Sequence, residues 1–504
     1  MKFNKNILFI AFVFILMIMI SCTGKHTFYV DKIHGDDSNS GNSQRKAWAT
    51  ISKVNESVFL PGDKILFCGG QTFQGKIQLK NLPGNAENKV VITSYGEGKA
   101  TISSGNEEAL IADSCSFLEI KNIDFAGAGR KNGNTTSGVV IVNGNNITID
   151  SVKVSGFQKA GIKITDSENV RITRIHAFDN GFTGILTGEA YDNPFKLISK
   201  NIYIGYCTTE NNPGDPTILD NHSGSGILIS GTDSAIVEYC LAINNGWDQP
   251  WEGNGPIGIW AFHSNNVIIQ HCIAHSNKTN PKGWDGGGFD FDGGVTNSVM
   301  QYNLSYNNMG PGYGLYQYSG AAKWENNIVR FNISYNDGTE IDSCGLQLWN
   351  GQPEGPEMKN ALIYNNVFYN DFGKALNYKS GDVPGIFYRN NVFASRLQPV
   401  TGEHSKSVFE NNLYFQLDNS GFVFSEDSSG IIADPKLKLP DSIEFLTEDP
   451  SKLKDLEFFK FFPDSPCISK GKLIQQNGGF DFWGNQLPEN TKQLNIGIWQ
   501  GDKK

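Results

Sequence analysis

From about Val90 onward, apolar and polar residues alternate in short runs that repeat along the chain. One set of runs starts at Asn169-Val170-Arg171-Ile172, Asn201-Ile202-Tyr203-Ile204, Ala235-Ile236-Val237, Asn266-Val267-Ile268-Ile269, Ser298-Val299-Met300, Asn327-Ile328-Val329 and Asn360-Ala361-Leu362-Ile363. Each leads through a polar, Asn-containing turn to a second run that opens on Gly and an apolar residue. These are Gly161-Ile162, Gly184-Ile185, Gly226-Ile227, Gly258-Ile259, Gly288-Phe289, Gly314-Leu315 and Gly345-Leu346. Period-two alternation predicts strands that separate inward from outward residues. A repeat of roughly 23–35 residues without helical periodicity predicts one solenoid coil per repeat, and the Leu/Asn consensus of leucine-rich repeats is missing. Helical spacing is expected over Ala47 to Val58, through Trp48, Ile51, Val54 and Val58. Pro61-Gly62-Asp63 ends it before a strand at Lys64 to Phe67. The repeats fade after Phe415 into an irregular tail.

Aligning the second runs on their shared Gly gives two outward columns. The first is Lys163, Leu186, Leu228, Trp260, Asp290, Tyr316 and Gln347, and the second is Thr165, Gly188, Ser230, Phe262, Asp292, Tyr318 and Trp349. The aspartates come from Gly283-Trp284-Asp285-Gly286-Gly287-Gly288-Phe289-Asp290-Phe291-Asp292-Gly293-Gly294, where both phenylalanines face inward and both acids outward. Ile259, Ala261, Phe289, Phe291, Leu315, Leu346 and Leu348 fill the inward positions, so the aromatics beside the acids are expected to lie exposed in a row. Such rings stack on the C–H faces of sugars, and coils about 4.8 Å apart nearly match a glycan repeat. Loops covering the aromatics are the structural alternative. Long turns, Asn245 to Pro256 and Asn277 to Gly287, flank the row. Both carry Gly-Trp-Asp, which reads as duplicated site walls around Trp247 and Trp284 and brings Asp248, Glu252 and Asp285 near.

A third column, Cys207, Cys240 and Cys272, follows the coil period and continues as Asn303, Asn332 and Asn365. That spacing points to a stack of small buried thiols rather than a metal site, and no Cys-x-x-Cys pair occurs. Few or no disulfides are expected, since Cys68, Cys115, Cys344 and Cys467 show no framework. Charged residues make up only 19% of the chain and its net charge is −10, which argues against a nucleic-acid partner. Lys2 and Lys5 precede an apolar run from Ile7 to Ile20 that ends at Ser21-Cys22-Thr23-Gly24. The pattern reads as an export signal over 1–21. Cys22 resembles the lipid-modified cysteine of bacterial lipoproteins. The expectation is an exported monomer, tethered by lipid to the outer membrane or cell surface or held in the periplasm; a plain cleaved signal is the alternative.

The opening stretches FYVDKIHGDDSNSG, AWATISKV and LPGDKILF resemble the N-terminal cap of secreted right-handed parallel β-helix proteins of the pectin-lyase-like type. The tail segments Phe462-Pro463-Asp464-Ser465-Pro466-Cys467, Gly479-Phe480-Asp481-Phe482-Trp483-Gly484 and Asn495-Ile496-Gly497-Ile498-Trp499 resemble their closing segment. The resemblance implies an all-β, right-handed parallel β-helix with an N-terminal capping helix and a covering tail, acting on polysaccharide. The expected division is 22–85 for tether and cap, 86–430 for the helix and 431–504 for the tail, where Asp481 only fixes the tail. Cys272-Ile273-Ala274-His275-Ser276-Asn277, leading to Asp290, looks like part of the calcium region of pectate lyases. There, Gly286 and Gly287 stand where that region carries ligating aspartates, and no outward Lys or Arg follows at the matching column.

Two carboxylates two residues apart on one strand face lie about 6.5–7 Å apart at Cα. Close anions raise one pKa, leaving an acid beside a base or nucleophile. The reading is therefore glycosidic-bond hydrolysis by Asp290 and Asp292, with Asp285 or Asp342 as possible true partner of either. Trp260, Phe262, His263, Tyr316, Tyr318, Gln347, Trp349, Trp247 and Trp284 are the expected substrate contacts, and His222 a possible assistant. Three alternatives stand beside it. One is a lyase using Lys323 or Lys379, and another is a non-catalytic glycan-binding surface. The third is calcium held by Asp285, Asp290 and Asp292; otherwise no cofactor is expected.

Overall fold

The computed structural model describes residues 25–188, 196–351, 358–418, 421–487 and 493–501. The export segment and Cys22 lie outside them. Over the described residues the chain winds through three parallel sheets of 14, 14 and 12 strands. One coil runs through Asn145–Asp150 in the first sheet, Lys153–Ser155 in the second and Ala160–Thr165 in the third. Glu168–Thr173 then opens the next coil on the first sheet. The architecture is the all-β right-handed parallel β-helix. Alternation does what the pattern requires: inward residues such as Ile147, Ile149, Val154, Ile162 and Ile164 are fully buried in one continuous core.

The sheets begin earlier than residue 86. Thr27–Val30 pairs with Lys64–Cys68, and that strand pairs with Val90–Tyr95. The helix is shorter than its apolar spacing suggests, covering Ile51–Glu56. Thr50 caps it by accepting the Lys53 N–H, and the Ser57 hydroxyl donates to the Lys53 carbonyl at 2.7 Å. Ile51 and Val54 bury over the first coil, whereas Val58 is 85% exposed beyond the last turn. At the other end, Leu437, Leu453, Phe459 and Ile496 of the tail pack against Leu304, Ile333 and Val367. Asp481, nearly fully buried, accepts the backbone N–H groups of Trp483, Asn485 and Gln500 and so ties that tail together.

Two polar columns run through the coils beside the core. The cysteine column continues as Asn303, Asn332 and then Asn366, one residue later than aligned, followed by Asn391 and Asn412. Asn365 instead takes a left-handed corner with φ of 51° and binds the tail carbonyls of Asn495 and Gly497. All seven described cysteines are free thiols. A second column, Asn180, Asn212, Asn245, Asn277 and Asn308, passes side-chain amide bonds of 2.9–3.1 Å from coil to coil. Each column ends on a carboxylate: Asn308 donates to Asp337 at 2.8 Å and Asn412 to Asp427 at 3.0 Å. These bonds explain the segment from Cys272 to Asn277, since both of its end residues are column members. His275 between them stacks on Tyr306 at 4.4 Å.

Candidate active site

The central strand is Phe289–Phe291, in the third sheet between Ile259–Phe262 and Tyr313–Gln317. Phe289 and Phe291 are fully buried in the core, so Asp290 points to the other face. Asp290 lies beside Trp260 on one neighbour, as aligned, but beside Gly314 on the other. The shared glycine of that coil is Gly312: Tyr313, not Leu315, follows Phe289 and precedes Leu346. The offset of two residues from the sequence alignment reflects two Gly-apolar pairs in this coil, Gly312-Tyr313 and Gly314-Leu315. The corrected first column reads Trp260, Asp290, Gly314 and Gln347, and Tyr316 moves to the side of Trp349.

Nor do the aromatics form an open row. Trp260, Phe262 and Tyr316 are 3%, 3% and 5% exposed. They line a cavity of about 570 Å³ together with Asp285, Asp290, Asp292, Trp284, Tyr318, Gln347, Trp349 and Lys379. Its outer wall comes from Asn221, His222, Asn254, Gly255 and Ile257 on two loops. The Asn254 amide donates to Asn221 at 2.9 Å and joins those loops. Trp260 is locked in place: its indole N–H donates to Ser225 at 3.1 Å, and its ring stacks on Phe262 at 5.3 Å.

The three pocket acids differ in their support. Asp285, at φ of 68° in a loop, accepts the Gly255 N–H at 2.9 Å. Burial, with Asp342 adding repulsion, carries its pKa up to about 6 against that bond and the attraction of Lys379. Asp292 accepts the Gly293 N–H at 2.7 Å, and burial pushes it up to about 7, with Asp285 adding repulsion. Asp290 is 2% exposed, and its Oδ1 has no hydrogen-bond partner. Burial first, then the charges of Asp292 and Asp285, raise its pKa well above the usual carboxylate range.

Several expected contacts sit elsewhere. His263 lies behind the lining, where its Nε2 meets the Tyr318 hydroxyl at 2.9 Å. Trp247 does not line the cavity; it is 47% exposed under Arg130, whose guanidinium carbon is 5.8 Å from its ring. The two Gly-Trp-Asp triplets are thus not equivalent. Asn245 is level with Asn277, so Gly246 is level with Lys278, whereas Trp284 donates its backbone N–H to Gly253, near the far end of the neighbouring loop. Asp248 is bound by Arg130 and Lys131, Glu252 by Lys282, and Lys323 by Glu325. Lys379 does reach the cavity rim, because it is the extra residue of a β-bulge between Tyr378 and Ser380. Its ammonium binds Asp342 at 2.7 Å and lies 5.7 Å from the Trp284 ring centre.

Among the described residues no three His, Cys, Asp or Glu side chains group to hold a metal ion. Asn221, Asn254, Gly255 and Ile257 had escaped sequence reasoning, because loop residues share no column with neighbouring coils. Tyr316 and Gln347, both expected contacts, meet as a fixed polar floor in which Gln347 Oε1 takes the tyrosine hydroxyl at 3.0 Å.

Comparison with known proteins bears on the fold that carries this pocket. The chain is similar to a lacto-N-biosidase of Bifidobacterium longum subsp. longum, with 22% identity over 92% of this chain and 36% of that enzyme. The chain therefore spans about a third of the length of the curated relative it matches. Among solved structures it resembles the GH136 lacto-N-biosidase of Eubacterium ramulus, with a TM-score of 0.53, 17% identity and coverage of 80% of this chain and 70% of that one. The pectate lyase Pel9A is similar over 96% of this chain and 98% of its own, with a TM-score of 0.50 and 15% identity. The family described as the right handed beta helix region matches residues 96–247 and 197–355, a span of just over half the chain. The chain belongs to this right-handed β-helix family.

Proposed function

We propose that this protein is a glycoside hydrolase that cleaves an oligosaccharide or polysaccharide held in this pocket. The observation that carries the reading is the pair Asp285 and Asp292. Each carboxylate lines the cavity with one oxygen fixed by a backbone N–H, from Gly255 and Gly293. An anion needs such a donor, and Asp290 has none at its Oδ1. In cleavage, one carboxyl of the pair protonates the leaving oxygen while the other attacks the anomeric carbon or activates water. Burial supplies the required mixed protonation: pKa values of about 6 and about 7 leave the pair sharing one proton between them.

The sign of the pH dependence follows. Below about pH 6 the base form is lost, and above about pH 7 the acid form is lost, so kcat/KM should peak between those values. A flat profile from pH 4 to 8 would remove the pair from the chemistry. The likeness to lacto-N-biosidases makes p-nitrophenyl lacto-N-bioside the first substrate to try, followed by plant, algal and host glycans. New reducing ends without the ultraviolet absorbance of unsaturated sugars support hydrolysis.

Elimination by a lyase is the second reading, favoured by Lys379 at the cavity rim. It is weakened by the Lys379–Asp342 pair, which leaves no uncompensated cation to neutralise a uronate. Product absorbance that disappears in Lys379→Met would establish it instead. Export and lipid attachment at Cys22 remain part of the proposed function, and labelling cells with a palmitate analogue, with Cys22→Ser as control, tests them.

A further inference from the structure

We propose that Asp290 and Gln347 form a recognition floor for a neutral sugar, with Asp290 acting as an uncharged hydrogen-bonding group rather than as a reacting carboxylate. The inference rests on the pocket being the glycan site of the hydrolase reading and adds the class of sugar it selects.

Both side chains are nearly sealed from solvent, at 2% and 1% exposure, and both line the cavity. Each carries an atom without a hydrogen-bond partner, Oδ1 of Asp290 and Nε2 of Gln347. Leaving such a buried group unpaired is costly, so two in residues that line one cavity mark positions for ligand atoms. They belong to one column. Asp290 is level with Gly314 and Gly314 with Gln347, which sets them two strand spacings, about 9.5 Å, apart at Cα. A sugar ring with its hydroxyls spans that interval.

The position between them explains how the floor is held. A Cβ on Gly314 would lie 2.6 Å from the Tyr316 ring. The ring folds over this bare backbone, and its hydroxyl donates to Gln347 Oε1, which leaves the amide N–H groups as the unanswered part of that side chain. Gln347 therefore offers donors. Asp290, surrounded by the negative charges of Asp285 and Asp292, keeps its proton and offers one donor and one acceptor. Sugar hydroxyls, which both donate and accept, complement this set. A uronate or sulfate does not: it would meet three acids and a lysine already bound to Asp342.

The pocket tryptophans Trp260, Trp284 and Trp349 provide a fluorescence readout that needs no turnover. The probes are glucose, galactose, mannose and N-acetylglucosamine against glucuronate and galacturonate, titrated into the full chain. At least one neutral sugar should bind the wild type, Asp290→Asn and Asp292→Asn, and the uronates should not. Asp290→Ala and Gln347→Leu should weaken that binding about tenfold, the size of one lost hydrogen bond; Gln347→Glu guards against a packing defect in the leucine variant. In turnover, Asp290→Asn should act mainly through KM and Asp292→Asn through kcat. Uronates binding better than every neutral sugar, wild-type binding by both Asp290→Ala and Gln347→Leu, or no sugar bound by the wild type would each overturn the proposal. A wild type that binds a neutral sugar but cleaves no glycan would remove the hydrolase reading and leave this one standing.

Discussion

Two buried polar regions lie on the same coils, an asparagine column at one corner and the pocket on the third sheet, and they are finished in opposite ways. Asn308 is fully buried, and its amide donates to Ala274, Ser305 and Asp337 while its oxygen accepts from the backbone and side chain of Asn277. Asp290, on the third-sheet face of the same solenoid, is almost as buried yet leaves an oxygen unanswered. A saturated polar group holds the coil stack together; an unsaturated one at a cavity wall is reserved for something that arrives later. The coil repeat is the same in both regions, so the repeat alone does not tell them apart.

Substitutions can break that contrast from either side. The largest effect is expected at the pocket: Asp285→Asn and Asp292→Asn should each lower kcat by about 10³-fold or more, with unchanged far-ultraviolet circular dichroism. Retention of most activity in both would shift the chemistry to other residues. On the saturated side, Asn308→Leu removes the acceptor of both Asn277 N–H groups and one of the donors to Asp337, and should lower stability by about 3 kcal/mol in urea unfolding. Its kcat at temperatures well below melting should change little.

A smaller, opposite effect is expected when a pocket acid is neutralised. The folded-state pKa of Asp292 is raised to about 7 from an ordinary 3.8, so its ionisation opposes folding as pH climbs through that interval. Asp292→Asn should therefore melt about 2–4 °C higher than wild type at pH 8 and at the same temperature near pH 4. A variant equally or less stable at pH 8 would mean the acid is not strained. The smallest effect is assigned to Trp247→Ala, which removes a ring outside the cavity and should change kcat/KM on a small glycoside by less than about twofold.

The contrast also explains what could be read in advance. The coil period, the inward-facing residues and the placement of Asp290 beside Trp260 follow from alternation, since a strand offers each residue only two faces. The position of Tyr316 did not, because Gly312-Tyr313 and Gly314-Leu315 offer equally good starts two residues apart and only pairing to both neighbours selects one. The enclosure of the aromatics depends on loops such as 245–257, where no column links a residue to its neighbours. The bulge that swings Lys379 to the rim is likewise invisible in the alternation, which it interrupts. Helical spacing overreached at Val58 because the Thr50 cap and the Ser57 bond set the ends of that helix.

The carboxylate ends of the two amide columns bear on how such a chain can change its length. Within a column every side-chain-to-side-chain link runs the same way, each asparagine giving an amide N–H to the side-chain oxygen of the next member. An aspartate accepts that gift and has nothing to hand on. A duplicated coil bearing another asparagine can therefore be spliced in anywhere before Asp337 or Asp427, because it restores the chain of donors on both sides. Beyond either aspartate the relay is closed, and growth there requires a new device. The solenoid thus carries directional stop marks, one in mid-molecule and one at its last coils, that set where a longer descendant can gain its extra turns.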